Sequence, residues 1–202
     1  MGVIKIAAIS GSLRAASNNT AVLRTLQDAM PAEVEVNLLP LEALPHYNQD
    51  LDGPEALPEV GEFRAAIEAA DGLVICTPEY NGGIPGVLKN ALDWASRPAS
   101  GPSLKNKPVL IMSCSPGASG GVRAQWQLRE TLTSILSRVL VRPPVVIGAV
   151  HTKIQQGRLV DQDSLKFALG AVSDLVAEIS AGRALAAARA AQNAEHAIAR
   201  PA

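Results

Sequence analysis

The chain has few aromatic residues, few cysteines and no excess of charge, and each shortage argues against a class of protein. Aromatic residues make up only 3% of the 202 residues, which disfavours single-strand nucleic-acid binding through stacked rings. Eighteen Lys and Arg against nineteen Asp and Glu leave a net charge of −1 without a basic cluster, so no nucleic-acid partner is expected. Two cysteines, Cys76 and Cys114, cannot form a disulfide framework and match no paired-cysteine metal motif.

Long hydrophobic runs are also absent from the sequence. The first ten residues, MGVIKIAAIS, hold an apolar stretch too short to cross a membrane and carry no secretory cleavage signature. His46, His151 and His196 show no ligand pattern, so no metal site is expected. Hydrophobic residues make up 48% of the chain, which argues against disorder. We therefore expect a soluble, cytoplasmic protein with no membrane partner.

Short apolar, β-branched runs alternate with helix-length segments along the chain. The predicted strands are residues 3–9, 34–39, 73–76, 109–114 and 145–150. The predicted helices are residues 18–29, 59–70, 85–95, 121–140 and 164–181. Strand–helix alternation over five units predicts an α/β, doubly wound fold, with a five-stranded parallel sheet and helices on both faces.

The C-terminal end of the chain differs in composition from the rest. We predict one domain over residues 1–181 and an Ala-rich C-terminal extension over residues 182–202. The extension has almost no large apolar side chain, so a helix there would gain little from packing. Two interpretations remain open: a solvent-exposed or frayed extension, and a segment that packs on a neighbouring subunit.

The loop after the first predicted strand is rich in hydrogen-bond donors. Residues 10–20 read SGSLRAASNNT, with four hydroxyls, two carboxamides and one guanidinium, and they lead into a helix. A helix N-terminus presents free backbone N–H groups and the positive end of the helix dipole, so it holds an anion well. The alternative is simple helix capping, for which one residue would suffice. Because the P-loop and G-x-G-x-x-G motifs are both missing, we predict a phosphate monoester here.

The loop after the third predicted strand, residues 77–86, reads TPEYNGGIPG and has the character of a platform for a flat ring. Tyr80 offers a planar face, and backbone N–H groups around Asn81 and Gly82 can face a heterocycle. In a sheet ordered 2-1-3-4-5, the first and third strands are neighbours, and the loops that follow them line the ligand crevice. The two unusual loops therefore predict a ligand with a phosphate and a planar ring.

Two motifs in these loops resemble a known family. Residues 11–19 fit Gly-Ser-Leu-Arg-x-x-Ser-x-Asn, and residues 78–81 read Pro-Glu-Tyr-Asn, followed by Leu-Lys-Asn-Ala-Leu-Asp at 88–93. Together they resemble the NADPH-dependent FMN reductase family, above all its chromate- and quinone-reducing members, over residues 1 to about 181. The resemblance implies a flavodoxin-like fold that binds FMN and uses NADH or NADPH to reduce quinones, azo dyes, free flavin or metal oxyanions. The family often has an aromatic residue where this chain has Asn18.

The resemblance also implies roles for particular residues. The FMN phosphate would be contacted by Ser12, Arg14, Ser17 and Asn19, with Ser10, Asn18 and Thr20 as further candidates. The isoalloxazine ring would be lined by Pro78, Glu79, Tyr80 and Asn81, and Gly82 would add a backbone N–H. Ser115 and Gly117 lie in the Gly- and Ser-rich loop after the fourth strand. This loop either faces the flavin or the nicotinamide, or serves only to begin the next helix.

The same resemblance implies small-molecule electron acceptors and a homodimer or homotetramer. No catalytic acid or base is needed, because the cofactor carries the chemistry. One cleft that serves donor and acceptor in turn predicts ping-pong kinetics. A flavodoxin-type electron carrier without its own NAD(P)H oxidation is the alternative, although such carriers usually have a strongly acidic surface. A flavin-free signalling or structural protein is a third interpretation.

Four residues outside the motif roles have simpler interpretations. Cys76 and Cys114 lie at strand ends and are expected to be small core residues rather than redox centres. Trp94 and Trp126 lie on predicted helices and are expected to pack in the core or against another subunit.

Overall fold

A parallel sheet forms the centre of the computed structural model, which describes residues 2–53, 57–98 and 101–198. Its strands are β1 (Ile4–Ser10), β2 (Val34–Leu39), β3 (Gly72–Thr77), β4 (Pro108–Cys114), β5 (Arg138–Val139) and β6 (Val145–Ile147). They follow the order β2-β1-β3-β4-β5, and β6 also pairs with β4. This is the flavodoxin-like order, with the crevice expected between the loops after β1 and β3. The predicted fold class is confirmed.

Five α-helices, two short 3-10 helices (Gln49–Leu51 and Val150–Thr152) and one small hairpin complete the described chain. The helices are α1 (Asn18–Asp28), α2 (Pro58–Ala69), α3 (Gly86–Ala95), α4 (Val122–Ser134) and α5 (Gln162–Ile198). Strands β7 (Ile154–Gln155) and β8 (Arg158–Leu159) form an antiparallel pair outside the main sheet. None of the helices in the described ranges is long and apolar enough to cross a membrane.

Strand β1 shows why the central strands are apolar along their whole length. Its alternate residues Ile6 and Ala8 are buried in one core cluster, which contains residues of α1 and α5. Ala7 and Ile9 point the other way, into a second cluster with residues of α2, α3 and α4. A strand covered on both faces cannot alternate between apolar and polar residues.

The fourth predicted helix ends earlier than expected, and the fifth sheet position is split. Helix α4 ends at Ser134, and Leu136 adopts a left-handed φ of 64°, which turns the chain into β5. Pro143 and Pro144 then separate β5 from β6, because proline has no N–H for a strand ladder. The prediction of one helix over 121–140 was therefore wrong in its last turn and a half.

The last helix continues across the predicted boundary at residue 181. Helix α5 runs without a break to Ile198, and every described side chain from 183 to 193 is exposed. Arg183 ties the start of the extension to the sheet: its guanidinium bonds the Asp71 carboxylate at 2.6 Å and the backbone oxygens of Gly2 and Val3. Residues 199–202 of the predicted extension lie outside the described residues.

Candidate functional site

Three loops meet at the carboxyl edge of the sheet, and two glycines permit their contact. At Gly11, after β1, a Cβ atom would lie 2.7 Å from Thr77 Oγ1 at the end of β3. At Gly121, before α4, a Cβ would lie 3.2 Å from Ser113 Cβ and 3.5 Å from Glu79 Cβ. The loops after β1, β3 and β4 therefore form one continuous surface.

The hydroxyl groups of the first loop hold the N-terminus of α1 in place. Ser17 is the N-cap, and its Oγ accepts a hydrogen bond of 3.2 Å from the backbone N–H of Thr20. The Thr20 hydroxyl donates to Ser10 Oγ at 2.8 Å, and Ser12 Oγ accepts from the backbone N–H of Arg14. Helix capping therefore explains the presence of Ser17, but not that of the other hydroxyl-bearing residues in the loop. The other hydroxyls fix the loop around a helix end that is suited to an anion.

A positively charged side chain, that of Arg14, lies at the edge of this loop. Arg14 is exposed, and within the described residues no group accepts a hydrogen bond from its guanidinium. A cavity of about 220 Å³ lies beside the loop; its walls include Ser10, Ser12, Arg14 and Thr20, together with Arg24 and residues 38–42. Four of the predicted phosphate residues therefore share one cavity. No residue of the second or third loop lines it.

Asn19 does not point to solvent. The residue is 4% exposed, and its Oδ1 accepts hydrogen bonds from the thiols of Cys76 at 3.2 Å and Cys114 at 3.0 Å. Both cysteines are free and buried, as expected for core residues. Asn18, one residue earlier, is only half-buried. Of the two carboxamides in the loop, Asn19 is thus the one anchored to the ends of β3 and β4.

A tight turn presents Tyr80 at the same edge. The backbone N–H and C=O groups of Tyr80 and Gly83 exchange two hydrogen bonds of 3.0 Å. Asn81 and Gly82 between them have φ values of 52° and 83°, the left-handed pair that a type I′ turn requires. Asn-Gly is the preferred sequence for this turn. The turn leaves Tyr80 53% exposed, close to the buried Pro78 that follows β3.

Helix α4 braces this second loop from behind. The Glu79 carboxylate accepts bonds from the Arg123 side chain at 2.7 Å and from its backbone N–H at 3.1 Å. Gln127, one turn later, accepts a bond of 2.6 Å from the backbone N–H of Ile84. The Glu79 carboxylate is therefore turned to α4, and contact between Glu79 and a ring stays a prediction. Arg123 and Gln127 were not predicted from the sequence, where their i,i+4 spacing indicates only that they share one face of a helix.

The third loop is packed on the strand beside it. Ser115 Oγ accepts a hydrogen bond of 3.2 Å from the backbone N–H of Gly117, whose carbonyl accepts bonds from Gly120 and Ala149. A Cβ at Gly120 would lie 2.4 Å from a Val146 methyl. These contacts set the start of α4, and a ligand contact by Ser115 or Gly117 stays a prediction.

The two tryptophans have different environments. Trp94 is fully buried and donates from Nε1 to the Pro45 carbonyl at 2.8 Å. Trp126 is 69% exposed on α4, so the prediction that it packs in the core of its own chain is wrong. Within the described ranges, no three His, Cys, Asp or Glu side chains come together as a metal site.

The arrangement of the first two loops fits FMN. The anion-binding end of α1, with Arg14 beside it, suits the phosphate, and the exposed ring of Tyr80 suits the isoalloxazine. The family described as NADPH-dependent FMN reductase matches residues 4–152 of this chain. The chain belongs to the NADPH-dependent FMN reductase family.

Individual relatives agree with this assignment. The chain is 42% identical over 159 residues to an NAD(P)H-dependent FMN reductase of Pseudomonas aeruginosa, covering 78% of this chain and 85% of the relative. It is also 42% identical over 171 residues to a quinone reductase of Escherichia coli strain K12, covering 83% and 90%. The solved structure of FerB, a flavoenzyme NAD(P)H:(acceptor) oxidoreductase from Paracoccus denitrificans, matches with a TM-score of 0.76 and 34% identity, covering 88% and 98%.

Membership settles the class of the protein. This member of the FMN reductase family is a flavin-dependent oxidoreductase that uses FMN and NAD(P)H. The predicted cofactor and enzyme class are confirmed.

Proposed function

We propose that this enzyme reduces quinones with NAD(P)H at the edge formed by the loops after β1, β3 and β4. The observation that carries the proposal is the contact at Gly11, where the anion-binding loop meets the end of β3 that leads to Tyr80. This contact supports a ligand that extends from the cavity beside the first loop to the Tyr80 turn. The E. coli relative is named a quinone reductase, which supports the choice of acceptor.

The phosphate is assigned to the N-terminus of α1. Arg14 supplies a charge-assisted hydrogen bond, and Ser12 lies beside it in the wall of the cavity. Ser10, Ser17 and Thr20 bond within the loop and hold its shape. Asn18 and Asn19 follow at the first two positions of the helix, where backbone N–H groups are free.

The ring is assigned to the second loop. Tyr80 gives it a flat face, and the backbone of Asn81 and Gly82 lies in the rigid turn next to it. Pro78 has no N–H and is buried, so it shapes the loop rather than donating to a ligand. Glu79 holds the loop on α4, and Ser115 and Gly117 form the neighbouring wall.

The protein supplies position rather than acid–base groups. The chemistry that bound FMN would supply is transfer of two electrons, taken as a hydride from the nicotinamide, to the acceptor. Reduction of a quinone to its hydroquinone consumes one NAD(P)H and one proton. The chain orients the ring through the Tyr80 turn and holds the phosphate through the first loop. Free flavin, azo dyes and metal oxyanions are further acceptors that an open cleft admits.

We also propose a homodimer or homotetramer. The supporting observation is Trp126, a large ring exposed on α4, the helix that braces the ring-binding loop. A second copy that covers this helix would lie beside the cofactor.

We place the enzyme in the cytoplasm, where NAD(P)H is available and free thiols such as those of Cys76 and Cys114 are maintained. Residues 1–181 are proposed to suffice for FMN binding.

The alternative, an electron carrier of the flavodoxin type, is disfavoured by the near-neutral charge. One experiment on the purified protein separates the two functions. Its visible spectrum should show bound flavin, anaerobic NADPH should bleach this band without another protein, and benzoquinone should restore it. A flavin band that persists in excess NADPH and NADH would indicate the carrier, and a colourless protein that does not bind added FMN would overturn both.

A further inference from the structure

Two thiols and one carboxamide form a buried cluster beneath the first loop. The cluster consists of Cys76 near the end of β3, Cys114 at the end of β4 and Asn19, the second residue of α1. Their exposures are 0%, 1% and 4%, and both Sγ atoms lie within 3.2 Å of Asn19 Oδ1. The cluster thus joins the start of α1 to two central strands.

The hydrogen bonds of this cluster define which end of the carboxamide faces the core. An amide oxygen accepts and an amide nitrogen donates, whereas a protonated thiol is a weak donor and an even poorer partner for N–H groups. Both thiols donate to Oδ1, so the oxygen is held on the core side. Among the residues that the structure describes, none accepts a hydrogen bond from Asn19 Nδ2. This nitrogen is also not among the described buried side-chain atoms that lack a partner, so it reaches the surface of the loop, where a ligand can accept its hydrogen bond.

Both thiols need their protons for this arrangement. The adjoining Cys114 side chain, and then burial, raise the pKa of Cys76 well above its ordinary value. Cys76 therefore remains a donor at neutral pH. A thiol also fits the apolar surroundings of these residues, which include Val74 and Met112, at lower desolvation cost than a hydroxyl.

We propose that Cys76 and Cys114 are positioning residues for the FMN phosphate. By holding Asn19 Oδ1 they direct Nδ2 outward, to the end of α1 where the phosphate is bound. The inference rests on the proposed function, which places the phosphate at this helix end. Its consequence is selectivity: the two thiols favour FMN over riboflavin, which has the same ring but no phosphate.

The test compares the dissociation constants of FMN and riboflavin, measured by quenching of flavin fluorescence. Asn19→Ala should raise the FMN constant about 10-fold, and the double variant Cys76→Ala/Cys114→Ala about 3–10-fold, the range expected for lost hydrogen bonds to a phosphate. The riboflavin constant should stay within about twofold in each, because riboflavin makes no phosphate contact. With Ala at position 19, the cysteine substitutions should have no further effect on FMN.

Val74→Ala is the matched control. Val74 is buried in the same apolar cluster, two residues before Cys76, and removing its methyl groups should change stability but not the ratio of the two constants. Cys76→Ser and Cys114→Ser keep a donor, so despite their higher desolvation cost they should keep the wild-type ratio, which separates the lost hydrogen bonds of the alanine variants from a change in packing.

Two results would overturn the proposal in distinguishable ways. If Asn19→Ala lowers the selectivity for FMN and the cysteine variants do not, the thiols have no positioning role and the phosphate assignment stands. If Asn19→Ala itself leaves the ratio unchanged, the placement of Asn19 at the phosphate is wrong, and the role of the thiols is lost with it.

Discussion

Arg123 Nε lies 2.7 Å from the carboxylate of Glu79, across 44 residues of sequence. The carboxylate is 8% exposed, whereas the arginine side chain is 64% exposed. Because the backbone N–H of Arg123 bonds the same carboxylate, Glu79 caps the first turn of α4 as well as pairing with a charge. The loop that carries Tyr80 is thus fixed to a helix rather than left free.

Glu79→Ala should loosen this loop and weaken binding of the flavin ring. Losing charge-assisted hydrogen bonds at a buried carboxylate is expected to cost about 1.5–3 kcal/mol of stability. Affinities for FMN and riboflavin should fall together, because the ring platform is shared. Thermal unfolding and flavin titration measure both effects. Lys89→Ala, which breaks the exposed pair with Asp93, is the control and should cost less than about 1 kcal/mol.

Arg14→Ala should weaken FMN binding about 10–100-fold, since a charge-assisted hydrogen bond contributes about 1.5–3 kcal/mol. Riboflavin affinity should not change. Arg189→Ala, at an exposed position on α5, serves as the control and should leave both affinities unchanged. Equal FMN affinity for wild type and Arg14→Ala in a calorimetric titration would remove Arg14 from the phosphate site.

Gly82→Ala should destabilise the protein by about 1–2 kcal/mol, because an L-residue in the left-handed region is strained. No atom lies within 4 Å of the added Cβ, so the effect is one of backbone conformation alone. Gly86→Ala is a matched comparison: its Cβ also meets nothing within 4 Å, but Gly86 begins α3 with ordinary helical geometry. Urea unfolding should show a loss for the first variant and none for the second.

Initial rates should give parallel double-reciprocal lines when NADPH is varied at several fixed benzoquinone concentrations. The expected cause is that donor and acceptor occupy the cleft at the Tyr80 turn one after the other. The oxidised nicotinamide must then leave before the quinone enters. Intersecting lines would show that both substrates bind at once, and the proposal of a single shared cleft would be withdrawn.

Asp71 should contribute to stability above about pH 4 and lose that contribution in acid. Desolvation opposes its ionisation, but hydrogen bonds from Arg183 and the Lys5 backbone hold the pKa of Asp71 below the ordinary value of 3.8. A carboxyl with a lowered pKa in the folded state stabilises the fold above its unfolded pKa, and the gain disappears as the pH falls through its folded pKa. Asp71→Asn should therefore reduce stability at pH 7, by less than about 1 kcal/mol at this partly exposed site, and make little difference near pH 2. Urea unfolding at the two pH values measures this.

The sequence predicted the fold well because the central strands are apolar on both faces and separated by helices. It failed between residues 135 and 144, where Leu136 continues a helical apolar pattern but adopts a left-handed conformation. The residues three and four positions from Leu136 gave no sign of this left-handed conformation. The turn at Asn81 and Gly82 could have been predicted from the sequence, since Asn-Gly is typical of this turn.

The candidate site was predicted as a set of loops but not as a set of contacts. The polarity of residues 10–20 indicated an anion, yet Asn19 meets Cys76 and Cys114 only because α1 packs over β3 and β4. The pairing of Glu79 with Arg123 likewise depends on tertiary structure. Local pattern identifies which segments carry chemistry, whereas long-range packing decides which way each side chain turns.

The course of α5 determines where the enzyme can be attached to a surface or a probe. The helix runs back to the amino edge of the sheet, where Arg183 bonds the backbone of Gly2 and Val3. The edge at which we propose that the cofactor binds lies at the other end of β1, about 20 Å away for a seven-residue strand. A fluorophore, a biotin group or a tether to an electrode, placed at an exposed position between 184 and 193, would therefore leave the flavin cleft open to its substrates.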